Sequence, residues 1–129
     1  MPRFATATVT ELARVGLFQE LPGELLTKLA QNMRRSEIAP GDPIVLEGEE
    51  GDDFYVILRG LAAVSHPGGL SPRRMLRPGD YFGEVGMAMH VPRTASVRAL
   101  TPAVVASCDQ AAFDELLRPL FAEDDQPSA

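Results

Sequence analysis

The segment from Ser36 to Ser107 alternates short β-rich runs with glycines, and this spacing restricts the folds open to the chain. Within the runs, apolar and polar residues alternate with a period of two, which is typical of strands with one buried face. The glycines fall between the runs, where turns need a residue that tolerates unusual backbone angles. These turn glycines are Gly41, Gly48, Gly51, Gly60, Gly68, Gly69 and Gly79. The pattern predicts a mainly β fold, an antiparallel barrel or jelly roll.

The individual strands are predicted from the β-rich runs. A loop rich in proline and glycine, residues 67–72, is predicted to connect two of them as a hairpin. The predicted strands cover residues 35–38, 43–47, 54–59, 61–66, 73–76, 94–99 and 103–108.

Two helices are predicted before the first strand. The first covers residues 9–15, with Thr10 as its N-cap. The second begins near Gly23 and ends at Asn32 or Met33. Its apolar residues follow the 3.6-residue period and are expected to pack on the core. They are Leu25, Leu26, Leu29, Ala30 and Met33.

A further helix is predicted after the last strand. Asp109 is the predicted N-cap, because its carboxylate can accept a hydrogen bond from the first turn. Phe113, Leu116 and Leu117 share one face and are expected to point into the core. Pro119 is expected to stop or kink this helix.

The composition fits a single domain with short, irregular ends. The chain has 129 residues, of which 45% are hydrophobic and 23% are charged. Residues 1–9 carry no periodic pattern and are predicted to be a flexible arm. Residues 120–129 are polar towards their end and are predicted to be a disordered tail. The predicted domain therefore covers residues 10–119.

Charge and residue counts exclude several classes of protein. The net charge of −6 argues against contact with nucleic acid, and the apolar runs are too short for direct membrane insertion. One cysteine, Cys108, cannot form an internal disulfide, which favours a cytoplasmic, reducing location. The two histidines, His66 and His90, suggest no shared site, and no Ser–His–acid set or P-loop is present. We therefore expect no catalytic residues, no metal and no cofactor.

A short helix predicted over residues 84–89 interrupts the strands and is not needed to close a sheet. The N-terminus of a helix offers unpaired N–H groups and partial positive charge, which suit a phosphate. Gly83 lets the backbone approach a ligand closely, and Arg93 can donate two parallel hydrogen bonds to the phosphate. Glu84 does not suit an anion, but it can accept a hydrogen bond from a sugar hydroxyl. The segment predicts a site for a small ligand that carries a phosphate and a ribose.

The same segment resembles the phosphate-binding cassette of cyclic nucleotide-binding domains. The family pattern is F-G-E followed by P-R-[TA]-A-[ST]-V, and it is matched by Phe82-Gly83-Glu84 and Pro92-Arg93-Thr94-Ala95-Ser96-Val97. Residues 41–49 and 51–60 also resemble the family's strand-and-turn signature. The resemblance covers residues 12–118 and rests on three ordered motifs, whereas a Gly–Glu pair alone would carry no information.

The resemblance implies roles for individual residues. Arg93 would bind the phosphate, Glu84 would accept from the ribose, and Asp52 would buttress Arg93. The implied ligand-binding set is Phe82, Gly83, Glu84, Val85, Arg93, Thr94 and Ala95. The supporting or pocket-lining candidates are Asp52, Val56, Leu58, Met75 and Val97. The last four of these would equally suit an ordinary apolar core.

Thr94 bears on the choice of base. In similar domains a threonine here can bond both the phosphate and the guanine amino group, whereas alanine is common where cyclic AMP (cAMP) is preferred. Some similar domains carry Arg-Thr-Ala-Ser-Val and still favour cAMP. The implied ligand is therefore cAMP or cyclic GMP (cGMP), and both stay open.

Two functions stay open for the chain. In the first, it is a cyclic nucleotide sensor that relays binding, by repacking of its helices, to a separate or fused effector. A membrane channel or transporter in a longer parent chain would be one such effector, with this chain as its cytoplasmic domain. In the second, it is a ligand-free interaction module that keeps the fold and docks on a partner protein. The filled cassette positions favour the sensor.

Overall fold

The strands in the described part of the chain form two antiparallel sheets. The computed structural model describes residues 5–49, 53–65, 74–84, 92–93 and 95–122. The strands are β1 (Arg34–Ile38), β2 (Pro43–Val45), β3 (Asp53–Arg59), β4 (Ala62–Ser65), β5 (Arg74–Leu76), β6 (Tyr81–Phe82), β7 (Ser96–Ala99) and β8 (Ala103–Asp109). The first sheet has the order β1-β8-β3-β6 and the second has the order β2-β7-β4-β5. Strands that follow each other in the chain mostly lie in different sheets, as in a jelly roll, and the predicted fold class is confirmed.

Helices flank the sheets at both ends of the chain. Before β1 lie α1 (Val9–Ala13), a 3₁₀ turn (Gly16–Phe18) and α2 (Gly23–Asn32). After β8 the chain forms α3, whose three consecutive segments are Gln110–Ala112, a π-helical turn at Phe113–Leu117, and Arg118–Ala122. Asp109 is the N-cap of α3, as predicted, because its side chain accepts a hydrogen bond from Ala112 N at 2.9 Å.

Two separate apolar clusters hold these layers together. One lies between the helices and the first sheet, where α1, α2 and α3 cover one face of β3 and β8. Its fully buried members are Leu12, Phe18, Leu29, Met33, Phe54, Val56, Ala106, Phe113 and Leu117. The other cluster lies between the two sheets, and its buried members are Val45, Ile57, Ala62, Leu76, Val97 and Val105. Alternate residues of β3 therefore serve different clusters, as the pleat of a strand requires.

Four details differ from the sequence-based expectations. The N-cap of α1 is Thr8 rather than Thr10: Thr8 and Glu11 form a reciprocal capping box, which satisfies two backbone N–H groups at once. Leu25 is 39% exposed rather than buried, because it lies at the edge of the apolar stripe of α2. Pro119 does not stop α3, since the wider π-helical turn precedes it and the helix continues to Ala122. The two-residue strand β6 was not predicted.

Packing also extends beyond the predicted domain boundaries at residues 10 and 119. Ala7 is buried and donates its backbone N–H to Met33 O at 3.0 Å. At the other end, Phe121 packs its ring against Phe54 and Phe113, with centroids 5.9 and 5.7 Å away. The remaining parts of the predicted arm and tail, residues 1–4 and 123–129, lie outside the described residues.

Candidate functional site

The two ends of the predicted binding segment meet at the start of β3. Phe82 is the last residue of β6, and β6 pairs with β3 so that Phe82 lies opposite Tyr55. Gly83 and Glu84 follow directly, are half-buried, and Glu84 is helical. Arg93 enters from the other end of the segment, just before β7. The rest of the predicted cassette helix, residues 85–89, lies outside the described residues.

Gly83 lies in contact with the Arg93 guanidinium, and only glycine fits there. Its φ of +101° is in the region that side-chain-bearing residues rarely adopt. A Cβ at this position would lie 2.9 Å from one terminal nitrogen of Arg93 and 2.8 Å from the carbonyl oxygen of Asp53. Gly83 therefore lets the Arg93 guanidinium pack against the backbone.

Two contacts from β3 hold the Arg93 side chain. A terminal N–H of the guanidinium donates to the carbonyl oxygen of Asp53. The same guanidinium lies over the ring of Tyr55, 5.8 Å from its centroid, within the range of a cation–π interaction. Arg93 Nε is buried and has no hydrogen-bond partner among the described residues. A buried N–H without an acceptor is unfavourable by about 1–3 kcal/mol, so this atom is suited to an external anion.

The turn at Glu47–Glu49 fixes the backbone around Arg93. Arg93 N donates to Glu49 O and Gly48 N donates to Arg93 O, both at 2.8 Å. Glu47 N donates to the hydroxyl of Ser96 at 2.9 Å. The carboxylate of Glu49 closes its own turn by accepting from Leu46 N at 2.7 Å. These bonds fix where the Arg93 side chain begins before any ligand is bound.

Tyr55 is the part of the site that the sequence reasoning missed. Its ring stacks on that of Phe82, with centroids 4.9 Å apart and planes 7° from parallel. Burial raises the pKa of Tyr55, with Asp53 adding to the shift and Arg93 opposing it, so the phenol is uncharged at neutral pH. The available signal was the alternation along β3, which puts Tyr55 on the face opposite Phe54.

The remaining candidate site residues lie on or beside β3, β5 and β7, or outside the described residues. Ala95 is half-buried and follows the site towards β7. Val97 is buried between the sheets, in the same cluster that Tyr55 and Phe82 border. Val56 and Leu58 instead contact the helix-side cluster, and Met75 is 41% exposed on β5. Asp52, Val85 and Thr94 lie outside the described residues.

Other features of the described residues offer no competing centre. A cavity of about 220 Å³ lies between α1 and the end of β3, with Glu11, Arg14 and Arg59 among its lining residues. Burial raises the pKa of Glu11, but the hydrogen bonds from Thr8 and Arg35 and the charge of Arg35 together outweigh it, so the pKa is lowered. Within residues 5–49, 53–65, 74–84, 92–93 and 95–122, no group of three or more His, Cys, Asp or Glu side chains could hold a metal. Within the same ranges, no helix has the length and apolar character needed to cross a membrane.

Comparisons with known proteins point to one family. Residues 35–119 match the model of the cyclic nucleotide-binding domain. The cAMP-dependent protein kinase regulatory subunit of Yarrowia lipolytica is 36% identical over 110 residues, which cover 85% of this chain and 29% of that protein. The chain thus spans less than a third of the length of that relative.

Solved structures agree with this similarity. The regulatory domain of Toxoplasma gondii protein kinase A (PKA), crystallised with cAMP, superposes with a TM-score of 0.80 and 28% identity, covering 92% of this chain and 47% of that one. The regulatory subunit of a cAMP-independent PKA from Trypanosoma cruzi, bound to guanosine, superposes with a TM-score of 0.79 and 26% identity, covering 92% and 44%. The match to the family model, together with this fold, shows that the chain belongs to the cyclic nucleotide-binding domain family.

Proposed function

We propose that this chain binds a cyclic nucleotide and that Arg93 is the residue that binds its phosphate. The observation that carries the proposal is the buried Arg93 Nε, which has no acceptor among the described residues. The guanidinium is held by the Asp53 carbonyl and the Tyr55 ring, and neither of these contacts neutralises its charge. A phosphate would supply both the missing acceptor and the opposite charge.

The proposal extends to the rest of the ligand. Glu84 is half-buried and follows the Arg93–Gly83 contact directly, and its carboxylate is suited to accept a hydrogen bond from a ribose hydroxyl. Thr94, next to Arg93, would contact the phosphate and influence the choice between cAMP and cGMP. The other proposed contributors keep the roles inferred from the sequence: Phe82, Gly83, Val85 and Ala95 beside the ligand, and Asp52, Val56, Leu58, Met75 and Val97 in support or lining the pocket.

We further propose that the chain is a non-catalytic, cytoplasmic regulatory module. The relatives are named regulatory subunits of cAMP-dependent protein kinases, which favours a role in controlling an effector. The effector is fused to this chain or separate from it. The proposed means of control is a change in the packing of α3, since α3 contacts β3 through Phe113 and Phe54, whose rings are 5.4 Å apart.

A nucleoside without a phosphate is the second candidate ligand. The trypanosomal structure of the same fold is bound to guanosine and comes from a protein described as cAMP-independent. A nucleoside would leave Arg93 Nε without an acceptor, and for this reason we favour the cyclic nucleotide.

Calorimetric titration with cAMP, cGMP and guanosine tests the proposal. Arg93→Ala is the informative variant, and Arg98→Ala is its control, because Arg98 is an exposed arginine on β7 with one long contact, 3.5 Å to Gly41 O. Loss of a charge-assisted contact should weaken cyclic nucleotide binding roughly 30- to 150-fold in Arg93→Ala. Arg98→Ala should bind like the wild type.

Each other result has a defined meaning. Equal affinity of the wild type and Arg93→Ala for cyclic nucleotides would refute the phosphate role of Arg93. Binding of guanosine alone would favour the nucleoside. No saturable binding of any of the three would support the ligand-free interaction module instead.

A further inference from the structure

Arg93 must keep its side chain in one orientation without losing its capacity to bind an anion. An acidic partner, the role proposed for Asp52, holds a guanidinium by occupying some of its N–H donors. An aromatic face attracts the cation through its quadrupole and occupies no N–H donor. Tyr55 offers such a face at 5.8 Å.

The Tyr55 ring is supported by a second aromatic ring on the neighbouring strand β6. Its near-parallel stack on Phe82 joins β3 to β6, immediately before Gly83. Gly83 and the Asp53 carbonyl limit movement of the guanidinium from the other directions. β3 therefore supplies both a hydrogen-bond acceptor and a ring, two residues apart, to the same arginine.

We infer that Tyr55 is a positioning residue: its ring, supported by Phe82, orients the Arg93 guanidinium so that its remaining N–H groups face the ligand phosphate. The inference rests on the proposed function, because it concerns affinity for the same ligand. The prediction is specific to the aromatic face, so Tyr55→Phe keeps the effect and Tyr55→Leu removes it.

The test combines calorimetry with cAMP and a double-mutant cycle. Tyr55→Leu should weaken binding roughly 3- to 30-fold, the range expected for a cation–π contact. Tyr55→Phe should bind like the wild type. In the Arg93→Ala background, Tyr55→Leu should have no further effect, because its action passes through Arg93. Tyr55→Ile replaces Tyr55→Leu if the latter does not fold.

Phe54→Leu is the matched control for structural damage. Phe54 is the preceding residue of β3, is fully buried and points to the helix side. Phe54→Leu should lower the melting temperature, and any change in cAMP affinity should be the same in the wild-type and Arg93→Ala backgrounds, because Phe54 contacts α3 and not Arg93. If Tyr55→Leu behaves in the same way and weakens binding equally in both Arg93 backgrounds, its effect is a general loosening of β3, and this result would overturn the inference.

The inference and the proposed function fail in different ways. If the wild type binds cAMP and Tyr55→Leu binds equally well, the inference is wrong and the function stands. If the wild type binds no cyclic nucleotide, the function is wrong. The contact between Tyr55 and Arg93 is then tested in the ligand-free protein by NMR, from the chemical shift of the Arg93 Nε–H proton. The ring current of residue 55 should shift this resonance in the wild type and in Tyr55→Phe, but not in Tyr55→Leu.

Discussion

Replacing Gly83 with alanine tests whether the site depends on the contact between this backbone and Arg93. The added Cβ would lie 2.8 Å from the Asp53 carbonyl oxygen and 2.9 Å from a terminal nitrogen of Arg93. The oxygen belongs to the backbone of β3 and cannot move without disturbing the sheet. The guanidinium is the end of a flexible side chain and should be displaced, whereas the clash with the oxygen can be relieved only by straining the backbone around residue 83.

The expected effect has two parts. A side chain at a φ of +101° stores about 1–3 kcal/mol of backbone strain. Displacement of the guanidinium also breaks its hydrogen bond to Asp53, a further loss of about 1.5–3 kcal/mol for a charged donor. A total of about 2.5–6 kcal/mol corresponds to a fall of about 8–20 °C in the melting temperature of a domain of this size. Cyclic nucleotide affinity should fall at least tenfold, because Arg93 is moved from its position.

Gly79→Ala is the matched control. Gly79 has nearly the same backbone angle, a φ of +95°, but a Cβ there would meet no atom within 4 Å. It should therefore show the strain alone, a fall of about 3–10 °C in the melting temperature, with unchanged affinity. Thermal unfolding followed by circular dichroism, with calorimetric titration, measures both quantities. Equal losses of stability in the two variants, with ligand binding intact in Gly83→Ala, would refute this account of the site.

Three further predictions concern the ribose, the base and the buried thiol. Glu84→Gln should weaken cAMP binding roughly 10- to 100-fold and remove the preference of the wild type for cAMP over its 2′-deoxy analogue; equal binding of both analogues by the wild type would exclude the ribose contact. Thr94→Ala should raise the ratio of cAMP to cGMP affinity, and an unchanged ratio in competition titrations would show that Thr94 does not select the base. Burial raises the pKa of Cys108 from 9.0 to about 12, so the folded state holds the proton that the unfolded chain releases. Stability present below pH 9 should therefore be lost as the pH rises towards 12, and denaturant titrations should show a smaller loss in Cys108→Ala, where the raised pKa of Tyr55 still contributes.

Local signals in the sequence were sufficient for much of this fold. The α3 cap at Asp109 and the bounds of α2 followed from capping preference and helical periodicity. The cap of α1 was also readable, because Thr8 and Glu11 have the spacing of a capping box, but Thr10 was chosen instead. These features depend on residues within one turn of each other, so a correct interpretation needs no knowledge of the rest of the chain.

The contacts around Arg93 required information that local patterns do not contain. The stack of Tyr55 on Phe82 depends on the pairing of β6 with β3, and β6 is too short to show any alternation. The pleat of β3 also decides that Val56 contacts the helices while Tyr55 borders the space between the sheets. Apolar residues lie on both faces of β3, so the sequence alone does not show which face borders the site, and Tyr55 was not among the candidates.

The same strand also connects the site to the helix that would report ligand binding. Asp53 accepts the hydrogen bond of Arg93 and is paired in register with Asp109, the N-cap of α3. Tyr55 and Phe54 lie on opposite faces of β3, one against Arg93 and the other against Phe113 of α3. A ligand that changes how Arg93 contacts β3 would therefore act on a rigid strand whose next neighbours are the cap and the apolar face of α3. No relay of side chains is needed between Arg93 and α3, because the single strand β3 contacts both.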